Sequence, residues 1–353
     1  MMTVMMRPAI GIHRIASLLN GAKRVKLVRM KAIRVHQFGD PSVMTLEEIP
    51  EPAPASGQML VKIKAAGVNP VDTYIRAGTY GALPALPYTP GADAAGVVEA
   101  ISGEMREFAP GDRVYIGGTV AGRAFGSYAQ MALCTVDQVH RLPKEISFAQ
   151  GAGVNIPYVT AWRALCDKGR AQPGETVLVH GASGAVGIAA VQIASAAGLR
   201  VFGTAGTDRG RALDKEQGAD DVFDHTSADY QKQIMAKTDG KGVDLVIEML
   251  ANVNLVRDLE MLAMRGRVVI VGNRGAIEIN PRSIMSKDAV VTGFTNWNAT
   301  PKELVTAHAA VIAGMHRSGF KPEVGKEMPL AQAPKAHEEV MKPGAYGKIV
   351  LIP

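Results

Sequence analysis

The sequence predicts an α/β protein in two parts, a barrel-like β domain followed by a doubly wound parallel sheet. Three observations predict it. From about Pro173 short apolar runs alternate with helical text, a glycine-rich turn joins the first such run to its helix, and the text before about Val154 is strand-rich and punctuated by Gly and Pro. Alternating strands and helices imply parallel pairing, because each crossover must return over a face of the sheet.

The turn reads Thr176-Val-Leu-Val-His-Gly-Ala-Ser-Gly-Ala-Val-Gly187. Thr176 to Val179 is apolar on both faces, as a buried parallel strand requires. From Val186 the pattern is helical, with Ala189, Ala190, Ile193 and Ala196 on the same face. Gly181, Gly184 and Gly187 lie between. Without Cβ atoms the backbone can turn sharply, approach a pyrophosphate and pack the helix close to the strand. The free N–H groups and positive dipole end of the helix then face the phosphates. A glycine turn without a ligand is the plainer reading; the strand before and helix after favour a dinucleotide. The spacing is Gly-x-x-Gly-x-x-Gly, so the motif alone names no family.

In chain order, Lys31 to Gln37 and Met59 to Ala65 alternate apolar and polar residues, and Ala92 to Ile101 and Phe125 to Ala132 also read as strands. Pro110-Gly111-Asp112 marks a turn. Asn155 to Cys166 reads as a helix, with Pro157 tolerated near its start. The second part then places strands at 176–180, 200–204, 243–248, 266–271 and 289–294, with a short one at Val222-Phe223. Its helices fall near 186–197, 209–217, 230–237 and 253–263. A helix from Pro301 to about Ser318, another from Ala331 to Met341 and a strand from Lys348 to Ile352 complete the chain. This tail is short for a core of its own and is expected to rejoin the first domain. The expected divisions are a basic extension over 1–29, a β domain over 30–154, a dinucleotide domain over 155–300 and a returning segment over 301–353.

A chain of 353 residues, 47% hydrophobic and 20% charged, can bury cores for two such domains. No apolar stretch approaches the roughly 18–20 residues of a membrane span. The net charge of +6 is local: residues 1–29 hold six basic and no acidic residues, leaving 33 basic against 33 acidic in the rest. That neutral body, without a basic-aromatic stripe, weighs against nucleic acid. The extension reads either as a presequence for organellar import or, the favoured reading, as an arm upstream of a start at Met30. Two cysteines, Cys134 and Cys166, form no framework; both are expected in the core, and the compartment is expected to be the cytoplasm.

An NAD-selective site places Asp or Glu about 20 residues after the first glycine, at the end of the second strand. Here that place reads Gly203-Thr-Ala-Gly206-Thr207, with no acid. Its absence, with Arg209 and Arg211 following, favours the 2′-phosphate of NADPH. Asp208 argues mildly against this unless it caps the next helix. His225 follows the third strand at the same rim, near the adenosine phosphate or on the surface. Asn254 and Val271-Gly272-Asn273-Arg274 follow the fourth and fifth strands, where the nicotinamide half is expected.

At Ala66-Gly-Val-Asn-Pro-Val-Asp-Thr-Tyr-Ile-Arg76, Leu86-Pro-Tyr-Thr-Pro-Gly91, Val179 to Gly184, Gly203 to Thr207 and Ile247-Glu-Met-Leu-Ala-Asn-Val-Asn-Leu255 the sequence resembles the zeta-crystallin-type quinone oxidoreductases of the medium-chain dehydrogenase/reductase superfamily. The resemblance runs from about Met30 to the C-terminus. It implies a GroES-like domain and a Rossmann domain with NADPH between them, reduction of quinones or related conjugated carbonyls, and a homodimer or homotetramer joined at the strand Val290 to Phe294. Matching positions imply cofactor contacts at Tyr74, Ser183, Gly184, Ala185, Val186, Gly206, His225, Asn254, Val271 to Arg274, and Phe294, Thr295 and Asn296. Tyr74 and Asn69 become the catalytic candidates, Tyr74 to donate to the acceptor oxygen and Asn69 to polarise it, or both only to position the cofactor. Zinc is not expected, because the Gly-His-Glu segment of the zinc enzymes aligns with Gly91-Ala92-Asp93 and two cysteines cannot supply a four-cysteine lobe. The alternatives are an enoyl-thioester or alkenal reductase, and a crystallin-like protein that binds cofactor and RNA with little turnover. His308, His316 and His337 lie in helical text and are expected on the surface.

Overall fold

The computed structural model describes residues 28–81, 83–117, 126–344 and 346–353. Most of the basic extension and the first residue of the expected strand at 125–132 lie outside the described residues.

Six parallel strands form one sheet, in the spatial order Asp221–Phe223, Arg200–Thr204, Thr176–Val179, Val243–Glu248, Leu262–Ile270 and Val290–Gly293. The first strand in sequence, Thr176–Val179, stands at the centre, so chain progression reverses beside it. Ligands of doubly wound sheets bind outside the strand C-termini at such a switch point. Val177, Leu178, Val179, Val246 and Ile247 are fully buried, because helices cover both faces. Ala185–Ala196 packs against Asn155–Trp162, which also meets Pro301–Arg317. Alanines at 189, 190 and 194 let the first of these helices lie close to the sheet.

The other large sheet runs Val324–Pro329, Lys348–Ile352, Gln58–Val68, Asp93–Ser102, Arg113–Ile116, Val139–Arg141, and Met131–Thr135 pairs with the far end of Gln58–Val68. The long strand thus serves three partners along its length, with register shifts at Leu60/Val61 and Ile63/Ala65 that bend it. A separate hairpin pairs Arg29–Val35 with Met44–Pro50. Residues 126–130 form turns and an isolated bridge, so the fourth expected strand is displaced to Met131–Thr135. Within this sheet the C-terminal strand Lys348–Ile352 pairs with Ala66–Val68. Its preceding residue, Gly347, bridges to Gly184 of the parallel sheet's turn, so this segment touches both sheets.

In the parallel-sheet region a buried carboxyl has neither oxygen hydrogen-bonded. Asp214 of the helix Asp208–Glu216 is fully buried, and neither carboxyl oxygen has a hydrogen-bond partner. Burial pushes its carboxyl up from 3.8 to about 8. The folded chain therefore holds a proton there that the unfolded chain has released, so this residue's contribution to stability is lost as pH rises from about 4 to about 8. Asp214→Asn is expected to raise the thermal midpoint near pH 9, by about 2–4 °C for each kcal/mol recovered. Near pH 4 the midpoint should be unchanged; equal effects at both pH values would contradict the assignment.

Candidate active site

Between the two sheets lies a cleft of about 1630 Å³. One wall is the glycine turn. Gly184 is the N-cap of Ala185–Ala196, so the unpaired N–H groups of that first turn open into the cleft. Gly181 has φ +57, a left-handed conformation that glycine adopts freely. A Cβ at Gly187 would lie 2.3 Å from the Gly181 carbonyl oxygen, and one at Gly272 would lie 2.2 Å from the Met249 carbonyl oxygen. These are hydrogen-only positions, and they leave the main chain bare where a nucleotide needs it. The turn is braced from behind: Ala182 N donates to Thr204 O at 2.9 Å and Gly181 N to Thr204 Oγ1 at 3.2 Å.

Of the sequence-predicted residues, Asn69, Tyr74, Gly181, Gly184 to Gly187, Val271 to Arg274 and Phe294 to Asn296 all line this cleft. Tyr74 is half-buried on the short helix Pro70–Ala77. Asn69 is anchored from below the cleft. It is only 3% exposed, its Oδ1 accepts from Lys348 Nζ at 2.5 Å, and its Nδ2 donates to Asp93 Oδ2 at 3.0 Å. Both ends of its carboxamide are thus engaged with the cleft floor, with a second Nδ2 proton left beyond the Asp93 contact. Asp72, under the same helix start, accepts from Asn69 N at 2.9 Å and is pushed up to about 7, chiefly by burial.

The remaining predicted residues stand apart from the cleft lining. Asn254 turns inward, its Nδ2 donating to Glu248 Oε1 at 3.2 Å. Arg211 pairs with two carboxylates, Asp208 and Asp224. Arg209 is different: its guanidinium lies 3.6 Å from the ring centre of Tyr346, which does line the cleft. Thr207, not Asp208, caps the helix that follows, accepting from Gly210 N at 3.1 Å. His225 is exposed, and its ring sits against Gly206, where a Cβ would lie 3.0 Å from Nε2. Ser183 contributes its carbonyl oxygen to Gly347 N at 2.8 Å.

The structure adds residues that sequence reasoning missed. Arg163, 1% exposed, donates to Thr295 O at 3.0 Å and Asn296 Oδ1 at 3.2 Å, and so holds the segment after the last strand. It begins a π-helical turn over Arg163–Lys168, a departure from the i→i+4 ladder that its sequence does not announce. His308 and His337, expected on the surface, are buried at 6% and 1% exposure, while His316 is exposed as expected. His308 stacks at 3.8 Å on His140 at the cleft and meets Tyr115 Oη at 3.0 Å through Nδ1; burial lowers the two imidazoles to about 3 and about 4. Helical periodicity around each histidine was the available signal. Cys134 is buried and Cys166 half-buried.

The chain matches two family models, "Alcohol dehydrogenase GroES-like domain" over residues 55–144 and "Zinc-binding dehydrogenase" over residues 185–311. With a GroES-like sheet, a parallel dinucleotide sheet and a cleft between, it is a medium-chain dehydrogenase/reductase. It is 47% identical to the quinone oxidoreductase of Homo sapiens over 325 residues, covering 92% of this chain and 98% of that protein. The chain belongs to the zeta-crystallin-type quinone oxidoreductase family and is an oxidoreductase. Among solved structures, an NAD-dependent alcohol dehydrogenase superposes with TM-score 0.85 at 28% identity, covering 92% of this chain and 100% of that one. A mycobacterial protein complexed with NADPH superposes with TM-score 0.81 at 27% identity and the same coverage.

One model's description names zinc, and the donors around Asp93 in the cleft floor do not fit it. At Asp93 the carboxylate is met by Lys348 Nζ at 2.8 Å, Asn69 Nδ2 at 3.0 Å, Asn155 Nδ2 at 3.0 Å and Ile156 N at 2.9 Å. An ammonium and two carboxamides stand where zinc would need thiolate, imidazole or carboxylate ligands. A second group, His180, Glu248 and Asp258, has ligand-type atoms within 4.8 Å of one another and is wholly buried behind the glycine turn. His180 Nε2 lies 2.8 Å from Asp258 Oδ1, and burial pushes both carboxyls up to about 7. The group lies outside the cleft lining, so it is not in contact with the reaction space. The nicotinamide nucleotide, by contrast, fits: the cleft carries bare backbone at Gly181, Gly187 and Gly272 and a helix N-terminus opening into it.

Proposed function

We propose that the protein reduces quinones and related conjugated carbonyls with NADPH, without a metal. The observation that carries this reading is the single cleft that runs from the glycine turn, past Gly272, to Tyr74. A bound nicotinamide nucleotide supplies a hydride there. The chain's own residues do the rest: the N–H groups of the Ala185 turn bind phosphate, Val271 to Arg274 and Phe294 to Asn296 line the nicotinamide end, and closure between the sheets excludes water. Tyr80 and Trp297 line the same cleft with ring centres 5.9 Å apart, an apolar, aromatic setting suited to a planar acceptor.

NADPH is favoured over NADH by the acid-free turn after Arg200–Thr204 and by Arg209, held by Tyr346 at the cleft edge. The exposed edge strand Val290–Gly293, with Val290 52% exposed, is the surface through which a homodimer extends the parallel sheet. Among the described residues no helix is long and apolar enough to cross a membrane. A cytoplasmic location follows only as part of this reading.

Tyr74 Oη is assigned as a hydrogen-bond donor to the acceptor oxygen as charge develops on it. A quinone's reduced oxyanion is resonance-stabilised, so water can complete protonation and the expected contribution is modest. Tyr74→Phe is expected to lower kcat about tenfold at saturating NADPH, the worth of one hydrogen bond to developing charge. Unchanged kcat would remove the donor role and leave Tyr74 a positioning residue.

A further inference from the structure

The cleft floor contains a buried lysine side chain brought there from the far end of the chain. Lys348 is 2% exposed and begins the C-terminal strand. Its Nζ reaches Asp93 Oδ2 at 2.8 Å and Asn69 Oδ1 at 2.5 Å. Asp93 Oδ1 in turn accepts from Asn155 Nδ2 at 3.0 Å and Ile156 N at 2.9 Å. Asn69 and Asn155 both line the cleft, and Asn69 is the residue from which Tyr74's helix starts. The stem of Lys348 passes over Gly67, where a Cβ would lie 2.6 Å from Cε, so glycine at 67 leaves its path open.

The backbone of the same segment is tied elsewhere. Gly347 N donates to Ser183 O at 2.8 Å, and Gly347 bridges in parallel to Gly184. Gly347 has φ +62, and a Cβ there would lie 2.6 Å from Glu323 O. Two consecutive residues therefore fasten the phosphate turn and the acceptor floor to each other. A fixed ammonium cannot take a lone pair from the acceptor as a metal ion can, yet it can hold hydrogen-bonding groups rigidly.

We infer that Lys348 is a positioning residue for the reaction: through Asp93 it fixes the carboxamides of Asn69 and Asn155 and the start of Tyr74's helix, and Gly347 sets its own position from the phosphate turn. This rests on the proposed quinone reduction only for its kinetic consequence.

Removing either charge alone would leave the other buried and unpaired, and such a variant can fail to fold. The informative protein is therefore the double variant Lys348→Met with Asp93→Asn, in the full chain, which removes both charges at similar volume. Three quantities are measured: NADPH affinity, kcat and KM with a soluble benzoquinone, and water exchange of the Asn69 and Asn155 side-chain amide protons by NMR on selectively 15N-asparagine-labelled protein. The double variant is expected to unfold cooperatively and to bind NADPH within about threefold of the parent. Its kcat should fall at least about tenfold, the cost of mispositioned groups, and the amide protons should exchange at least about tenfold faster. Parent-like kcat with parent-like exchange would overturn the inference. So would loss of NADPH binding in step with kcat, which would make the cluster a fold element only. If the parent itself does not reduce the quinone, the proposed reaction falls, while the amide exchange still decides whether Lys348 positions the carboxamides.

Discussion

Gly187→Ala is expected to abolish useful nucleotide binding. The added Cβ would lie 2.3 Å from the Gly181 carbonyl oxygen and 2.6 Å from both the Cα and the oxygen of Ala182. All three are backbone atoms, so no side chain can swing aside to relieve the contact. The helix Ala185–Ala196 must instead move away from the strand that feeds it, which draws its N–H groups off the phosphate position. Overpacking of this kind costs about 1–3 kcal/mol in stability, and the displaced donors cost affinity in addition. The dissociation constant for NADPH is expected to rise at least about 30-fold, equivalent to roughly 2 kcal/mol. Gly81→Ala is the control: a Cβ there meets nothing within 4 Å, and neither stability nor affinity should change. Equal behaviour of the two variants in isothermal titration would contradict the role given to the turn.

Arg163→Met is expected to have the second-largest effect. The guanidinium is 1% exposed and holds Thr295 O and Asn296 Oδ1, while Asp167 and Glu303 lie at 3.6 and 3.7 Å and the Phe294 ring centre at 4.8 Å. Methionine matches the stem but supplies no donor. Breaking such a pair costs about 3–5 kcal/mol when both partners are buried. Asp167 and Glu303 keep 25% and 32% of their side-chain surface exposed, so about 2–3 kcal/mol is the better expectation. Because Phe294 to Asn296 line the cleft, at the end proposed for the nicotinamide, KM for NADPH should rise together with a fall in kcat. Lysine should not restore either, since a point charge cannot make the two forked contacts. A lysine variant equal to the parent in thermal midpoint and kcat would show that charge alone suffices.

How much was legible in the sequence follows from which interactions are local. The central strands are apolar on both faces and the glycine turn is contiguous, so strand, turn and helix could be read in place. Arg113–Ile116 and Val139–Arg141 are too short to show a period, and they went unseen. Met44–Pro50 is mostly exposed, so its apolar residues mark no buried face. The site divides in the same way. Main-chain positions such as Gly187 and Gly272 were found because glycine signals close approach directly. The Lys348–Asp93 pair was missed because the two residues are 255 positions apart, and a lysine at the start of a C-terminal strand looks like any surface lysine. His308 and His337 are buried because other elements cover their helix faces, and which face is covered is set by residues distant in the chain. Arg211 was read as a phosphate ligand because Asp224, which takes its charge, lies on another turn.

Steady-state nicotinamide oxidation by the full chain decides whether one cleft carries hydride from NADPH to a conjugated acceptor without a metal. A panel of quinones, alkenals and enoyl thioesters is presented with NADPH and with NADH, before and after treatment with a chelator. The expected result is quinone-dependent oxidation with NADPH preferred over NADH at least about tenfold, the worth of one charge-assisted contact to the 2′-phosphate. The chelator should leave the rate unchanged. Nucleotide binding without turnover of any quinone, or a rate that the chelator abolishes and zinc restores, would contradict it.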